Sequence, residues 1–349
     1  MTVDPLLLET AERVFADTCT HDALERAEAD GFAPGVWGAA ADIGLPWIGV
    51  PESAGGAGGD LADALAVLRV AGRHGAPVPL AETGLLAGWL LAGAGLAVGE
   101  GPSTLVPGRA GDTLELVDGR LVGTARGVPW ASTAERIVAV VADGAGWRVV
   151  ALAPASSGIE RVRNLAGEPR DTVHLDRVEP AISAPSSVSP DELRLRGALT
   201  RVALMAGALE AMSTLTVAYT AERRQFGQAV ARFQLVQEHL VRLAEDAALV
   251  GLAADAAGRS AVTFEVAAAK ALASRAASTA TKAAHQAHGA MGMTREYPLH
   301  HLSRRLWSWR DEYGDERHWE RRVGELAAAV EPAGLYAAVA GGFQGAPPR

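Results

Sequence analysis

The chain reads as a mostly α-helical protein with a small β-domain at its centre. Three observations predict this. Apolar residues recur at helical spacing from residue 1 to about 100, and the period shifts to two between about 101 and 183. Three long alanine-rich helical patterns then follow near 190–222, 233–258 and 262–288. At 349 residues the chain is too long for one small core, so domains over 1–100, 101–185 and 186–349 are expected.

The composition narrows the class. The chain is 49% hydrophobic and 21% charged, a globular balance. A net charge of −9 argues against a general nucleic-acid binder, which needs a basic face for phosphates. The one cysteine, Cys19, forms no intrachain disulfide framework, so a reducing cytoplasm is expected. Met1-Thr2-Val3-Asp4-Pro5 has no basic segment leading into an apolar run, so no signal peptide is read.

Between 10 and 29, charges alternate with Leu, Val, Phe and Ala at helical spacing, which predicts a helix. Gly31-Phe32-Ala33-Pro34-Gly35 breaks it. The glycine-rich run 51–59 is a loop ahead of a helix over 60–72, because glycine takes backbone angles that other residues avoid. No Gly-Lys-Ser/Thr follows, so it is not a phosphate loop. The stretch 83–99 carries no charge, but it is short for a membrane span and diluted by glycine and alanine. It reads as a buried core helix.

Strand signals come next. The run 113–117 ends in Asp118-Gly119, a hairpin signal, and 120–123 returns. Runs 136–141 and 147–152 flank a second glycine-rich turn, and 172–175 adds a strand. A small antiparallel sheet or barrel is expected, followed by a proline- and serine-rich linker at 183–187. Ser189-Pro190-Asp191-Glu192 then starts a helix: serine caps, proline suits the first position and acids favour the positive end. Alanine in the long helices permits close packing.

Two stretches concentrate the residue types that a bound dinucleotide requires. Its pyrophosphate needs cations or helix N-termini, its ring needs donors, and phosphate needs small residues where it meets backbone. Ala221-Glu222-Arg223-Arg224-Gln225-Phe226-Gly227, with Phe233-Gln234 just beyond, lies where the first long helix ends. Gln286-Ala287-His288-Gly289-Ala290-Met291-Gly292 lies where the third ends. Locally, the first also reads as a helix C-terminus with well-placed arginines before a glycine turn, and the second as a helix stop. His285, His288, His300 and His301 make no His-Glu-x-x-His pattern and have no cysteine partner, so no metal site is expected.

In order and spacing, these stretches resemble the Arg-x-x-Phe-Gly…Phe-Gln and Gln-x-x-Gly-Gly-x-Gly motifs of the acyl-CoA dehydrogenase family. The order helices, strands, helices is similar to that family's layout of an N-terminal helical domain, a middle β-domain and a C-terminal four-helix bundle. The resemblance covers about the whole chain, strongest after residue 200 and weakest in the middle. It implies α,β-desaturation of an acyl-CoA thioester with FAD as cofactor, and electron-transferring flavoprotein as acceptor. It further implies that Arg223, Gln225, Phe226 and Gln234 reach the FAD of a neighbouring subunit. Gln286, His288, Gly289 and Ala290 would lie along the adenosine, with Ala290 replacing the motif's second glycine.

The middle and the end depart from the family pattern. Residues 104–112 stand where the family has a Thr-Glu-Pro loop, and lack it. The segment beside the flavin aligns with Gly127-Val128-Pro129-Trp130, where Trp130 either covers the flavin or packs in the core. The reaction needs a carboxylate over the α-proton while the β-hydride leaves for the flavin. The family's two glutamate positions fall on Tyr313 and about Thr200, and neither is an acid. Glu312, one position away, is the candidate base, with Asp311, Asp315 and Glu316 as further candidates. The opposing reading is a solvated helix end.

The pattern also resembles the degenerate chain of heteromeric actinobacterial enzymes that act on steroid side-chain CoA thioesters. There a complete chain pairs with one that has lost its base, and FAD lies at the interface. Three readings result: a heteromer subunit, a self-sufficient homo-oligomer using Glu312, or a helical scaffold that has lost flavin.

Overall fold

The computed structural model describes residues 3–341 and 343. Two compact units divide at Thr200 and Arg201. The first begins with α1 (Pro5–Thr18) and α2 (His21–Asp30), where the sequence predicts one helix over 10–29. The break has a local cause: the Thr20 hydroxyl accepts from the Ala23 amide and caps α2. After α3 (Pro34–Ala41) comes α4 (Leu61–Arg73), whose start is a reciprocal capping box between Asp60 and Asp63.

The uncharged stretch is not one regular helix. A π-helix, Ala81–Gly88, runs into α5 (Trp89–Gly93), and Leu85, Leu86, Leu90 and Leu91 are all buried. A Cβ at Gly84 would lie 2.2 Å from the Pro46 carbonyl oxygen, so only glycine lets this segment rest on that backbone. Arg196 donates to the Leu85 carbonyl at 2.9 Å and lies over the Trp89 ring at 4.6 Å.

Eight strands follow: β1 (Ser103–Leu105), β2 (Glu115–Val117), β3 (Arg120–Pro129), β4 (Arg136–Asp143), β5 (Gly146–Leu152), β6 (Gly158–Glu160), β7 (Arg170–Val178) and β8 (Ile182–Ser186). They form two four-stranded sheets, ordered β1-β4-β5-β8 and β2-β3-β7-β6. Leu121, Val128 and Val173 from one sheet share a core with Ile137, Val150 and Leu152 from the other. The expected small antiparallel sheet or barrel is thus built from two sheets closed over one core, with one departure: β1 runs parallel to β4. Asp118 and Gly119 have φ of 51° and 75°, as the β2–β3 hairpin requires. The expected linker is mostly β8, which pairs with β5 over Ser183–Ser186 and beyond. Pro185 is tolerated because β8 is an edge strand, where a missing amide breaks no ladder.

Beyond α6 (Pro190–Glu222), the chain makes a two-residue-stranded hairpin, β9 (Arg224–Gln225) and β10 (Gln228–Ala229). Then come α7 (Gln234–Ser260), α8 (Thr263–His288), α9 (Leu299–Trp309), α10 (Glu316–Ala328) and α11 (Leu335–Ala340). In the second unit α8 packs against α7, α9 and α10. Its buried positions include Ala267, Ala273, Ala277, Ala280 and Ala284, small enough to let helix axes approach closely. At 33 residues, α6 is long and apolar enough to cross a bilayer, yet 56% of that apolar stretch is buried inside the protein. We read it as a core helix.

The sandwich core sets a first prediction. Leu121 is fully buried, so Leu121→Ala is expected to lower unfolding stability by about 2–5 kcal/mol in urea titrations. Val117, 38% exposed, should change it by less than about 0.5 kcal/mol when cut to alanine. Equal losses would place the core elsewhere.

Candidate functional site

The structure brings the two motif-bearing helix ends together. Tyr219, one turn before Arg223, stacks on His288 with ring centroids 4.4 Å apart and an interplanar angle of 21°. Its hydroxyl donates to the His288 carbonyl at 3.3 Å. Tyr297 closes the cluster, 5.3 Å from Tyr219 and 4.9 Å from His288. His288 Nδ1 sits 2.8 Å from the Ala284 carbonyl, which assigns the proton to that nitrogen. Burial lowers the pKa of His288 against the upward pull of that carbonyl, so the ring is neutral at pH 7. Its Nε2 is then a buried acceptor with no hydrogen-bond partner among the described residues.

The turn after His288 is built for close backbone approach. Gly289 has φ of 61° and open space where a Cβ would stand. A Cβ at Gly292 would lie 2.9 Å from the His288 Cβ and 3.2 Å from Leu299, so glycine is needed for the turn to fold back. Gln286 and Ala290 are exposed beside it.

Arg223, Arg224, Gln225 and Phe226 are exposed on the β9–β10 hairpin. Phe226 is 92% exposed at φ 51°, and its ring meets Phe233 edge-on at 6.1 Å. Gln234, at the first turn of α7, is exposed as well. Trp130 lies in the first unit, 4% exposed, with the Arg170 guanidinium 4.7 Å from its ring centre and Arg170 paired to Glu168 at 2.9 Å. Its ring therefore packs against an internal cation.

The acids of the last stretch sort by partner. Asp315 caps α10, accepting from the His318 amide at 2.8 Å. Glu316 lies 3.2 Å from Arg275 on the surface, and Asp311 is exposed. Glu312 is buried, with Oε2 2.6 Å from Nε of Arg201, itself 1% exposed. The Arg201 guanidinium also lies 5.2 Å from the centre of the Tyr313 ring. Thr200 is buried in α6 and donates to the Gly197 carbonyl at 2.7 Å.

Two residues that the sequence pattern did not single out complete this region: Arg201 and Lys270. Lys270 is fully buried on α8 and donates to Ser274 Oγ at 3.1 Å, the Arg310 carbonyl at 2.6 Å and the Gly314 carbonyl at 3.0 Å. Its sequence signal is a lone cation on the buried face of an alanine run. Arg201 likewise interrupts the apolar stretch of α6. Desolvation lowers the pKa of Lys270 from 10.5 to about 7, against the upward pull of Glu312 and Asp311 and with a further lowering by Arg201 and Arg310.

The unfolded lysine keeps its proton to about 10.5, while the folded one releases it near 7. Between those values the unfolded chain binds more protons, so this group's contribution to stability rises with pH and is lost as pH falls toward 7. Lys270→Met should therefore remove a slope of up to about 1.4 kcal/mol per pH unit over that window. Urea titrations at several pH values measure it, and identical slopes in the two proteins would show a lysine that stays charged throughout.

Comparison with known proteins places the chain by sequence and by fold. Residues 195–310 match the acyl-CoA dehydrogenase C-terminal domain, and residues 4–96 match the acyl-CoA dehydrogenase N-terminal domain. The chain is 27% identical over 325 residues to acyl-CoA dehydrogenase IpdE2 of Mycolicibacterium smegmatis, covering 91% of this chain and 96% of that protein. It is 30% identical over 295 residues to acyl-CoA dehydrogenase FadE28 of Mycobacterium tuberculosis, covering 76% and 84%. Among solved structures, the ChsE4-ChsE5 complex from Mycobacterium tuberculosis superposes with a TM-score of 0.83 at 21% identity, covering 95% of this chain and 99% of that one. The Tcur3481-Tcur3483 steroid ACAD gives 0.83 at 24% identity, covering 93% and 97%.

Proposed function

The chain belongs to the acyl-CoA dehydrogenase family, and on that premise we propose that it is one subunit of a heteromeric acyl-CoA dehydrogenase, with FAD held at the junction with a second, complete chain. One contrast carries this reading. The cofactor-type residues Arg223, Gln225 and Phe226 face outward on a hairpin, while both family base positions, Tyr313 and Thr200, are buried and not acidic.

The residues present fit half of a dinucleotide site. Arg223 and Arg224 offer cations for pyrophosphate, Gln225 and Gln234 offer amides, and Gly289 leaves bare backbone. His288 Nε2 is a buried acceptor for a hydroxyl or amide proton, held in place by the stack with Tyr219. FAD, when bound, supplies the acceptor for the β-hydride of the thioester. This chain orients the cofactor, and the partner chain carries the acid that removes the α-proton.

The fold shared with a structure named as a ChsE4-ChsE5 complex supports a two-chain assembly. The fold shared with a structure named as a steroid ACAD supports a bulky acyl-CoA substrate. Electron-transferring flavoprotein is the proposed acceptor, and the cytoplasm the proposed compartment.

Two measurements test the proposal. Expressed alone, the chain should be nearly colourless; expressed with a complete acyl-CoA dehydrogenase chain encoded beside it, the complex should hold about one FAD per two chains. A yellow homo-oligomer with about one FAD per chain would overturn the heteromer. In the complex, Arg223→Ala should weaken FAD retention by about tenfold or more, the loss of one charge-assisted contact. Unchanged retention would remove Arg223 from the site.

A further inference from the structure

The turn 310–314 follows α9 and carries the residues nearest the family's base position. Its backbone is tied down by side chains from outside it. The Arg310 carbonyl, at the C-cap of α9, accepts from Lys270 at 2.6 Å and from the Ser274 hydroxyl at 3.0 Å. The Tyr313 carbonyl accepts from the Trp319 indole at 3.1 Å. The Gly314 carbonyl accepts from Lys270 at 3.0 Å. A carbonyl at a helix C-terminus, as Arg310's is, has no intrahelical donor; the buried amine of Lys270 on a neighbouring helix satisfies it and the Gly314 turn carbonyl together.

The backbone of this turn is held in an uncommon conformation. Tyr313 has φ of 55° and Gly314 of 106°. A Cβ at Gly314 would lie 2.7 Å from Trp319 Nε1, so the turn is also closely covered. A bulky residue at positive φ persists only where its surroundings fix it. Here the Arg201 guanidinium on the Tyr313 ring, the Trp319 indole and the Lys270 ammonium all do so.

The charges form one account. Arg201 is a cation and Lys270 an amine charged below about pH 7, both with almost no exposure, and Glu312 is a buried anion paired with Arg201 at 2.6 Å. Exposed Asp311 and half-buried Arg310, which lie 3.3 Å apart, both act on Lys270. A base must change its charge during turnover. Glu312 accepting a proton would leave Arg201 buried without its counter-ion, which is strongly unfavourable.

We infer that Lys270, Arg201 and Glu312 act as one buried charge cluster that locks the 310–314 turn, with Lys270 its positioning residue and Glu312 the counter-ion rather than the proton acceptor. This rests on the proposed function only in naming what the turn no longer does; the lock itself is a property of the chain.

The test uses Lys270→Met, Glu312→Gln and the double variant, each in the full chain and in the complex with its partner. Each single variant should lower Tm by more than about 5 °C, and the double should lose clearly less than the sum of the two, as coupled groups do. Lys270→Arg should recover part of the loss, since it keeps the charge. In the complex, kcat per bound flavin should stay within about twofold for Glu312→Gln. Additive losses would overturn the cluster. An unchanged Tm with kcat reduced by about a thousandfold in Glu312→Gln would make it the base after all. Where Lys270→Met fails to fold, Ser274→Ala takes its place, removing one ammonium acceptor and leaving every charge. The thermal coupling needs no flavin, so it is readable even if the complex proves colourless and the heteromer reading fails.

Discussion

Burying charge in a helical bundle is tolerable only when the charges neutralise each other, and the second unit depends on that condition around the 310–314 turn. Arg201 and Glu312 neutralise each other there almost without solvent, and Lys270 beside them holds its proton only up to about pH 7. Removing one partner of such a set costs about 3–5 kcal/mol, against a total stability of about 5–15 kcal/mol for an ordinary domain. The neighbouring sequence follows from this. The α8 surface around Lys270 is alanine, which leaves room for the lysine stem to lie flat and reach two carbonyls. Ser274, one turn further on, is a hydroxyl because the ammonium has a third proton to place.

A second constraint works at the opposite end of α8. The ends of α6 and α8 meet through aromatic rings rather than charges, with Tyr219 stacked on His288. The stack fixes the imidazole plane, and the Ala284 carbonyl fixes its tautomer. A rigid acceptor therefore sits beside a glycine turn, while the arginines of the adjoining hairpin stay in solvent. The two helix ends thus set a buried acceptor and a bare glycine turn on one side, and solvent-exposed cations on the other.

Legibility in the sequence followed the range of the interactions. The long helices ended where the pattern predicted, within a few residues, because capping and helical period are local. Thr20 split the first helix by a hydroxyl-to-amide bond that a periodicity reading passes over. β8 hid in a Ser/Pro-rich stretch because its strand character comes from pairing with β5. The motif stretches at 223–234 and 286–292 were legible as residue types, and their adjacency was not, since Tyr219 gives no sign of its partner. Arg201 and Lys270 escaped notice for a related reason. A cation inside an apolar helix pattern looks like a surface residue until the fold shows what surrounds it.

The π-helix at Ala81–Gly88 sets a rule about inheritance. Its Trp89 amide bonds five residues back to the Gly84 carbonyl, so the segment holds one residue more per hydrogen-bonded turn than an α-helix would. Deleting a single residue there would restore regular geometry but turn one flank by about 100° relative to the other. The Leu85 carbonyl would leave Arg196, and the glycine that lies on the Pro46 backbone would be replaced by a side chain. Drift in this lineage should thus conserve the length of this segment more strictly than most of its letters.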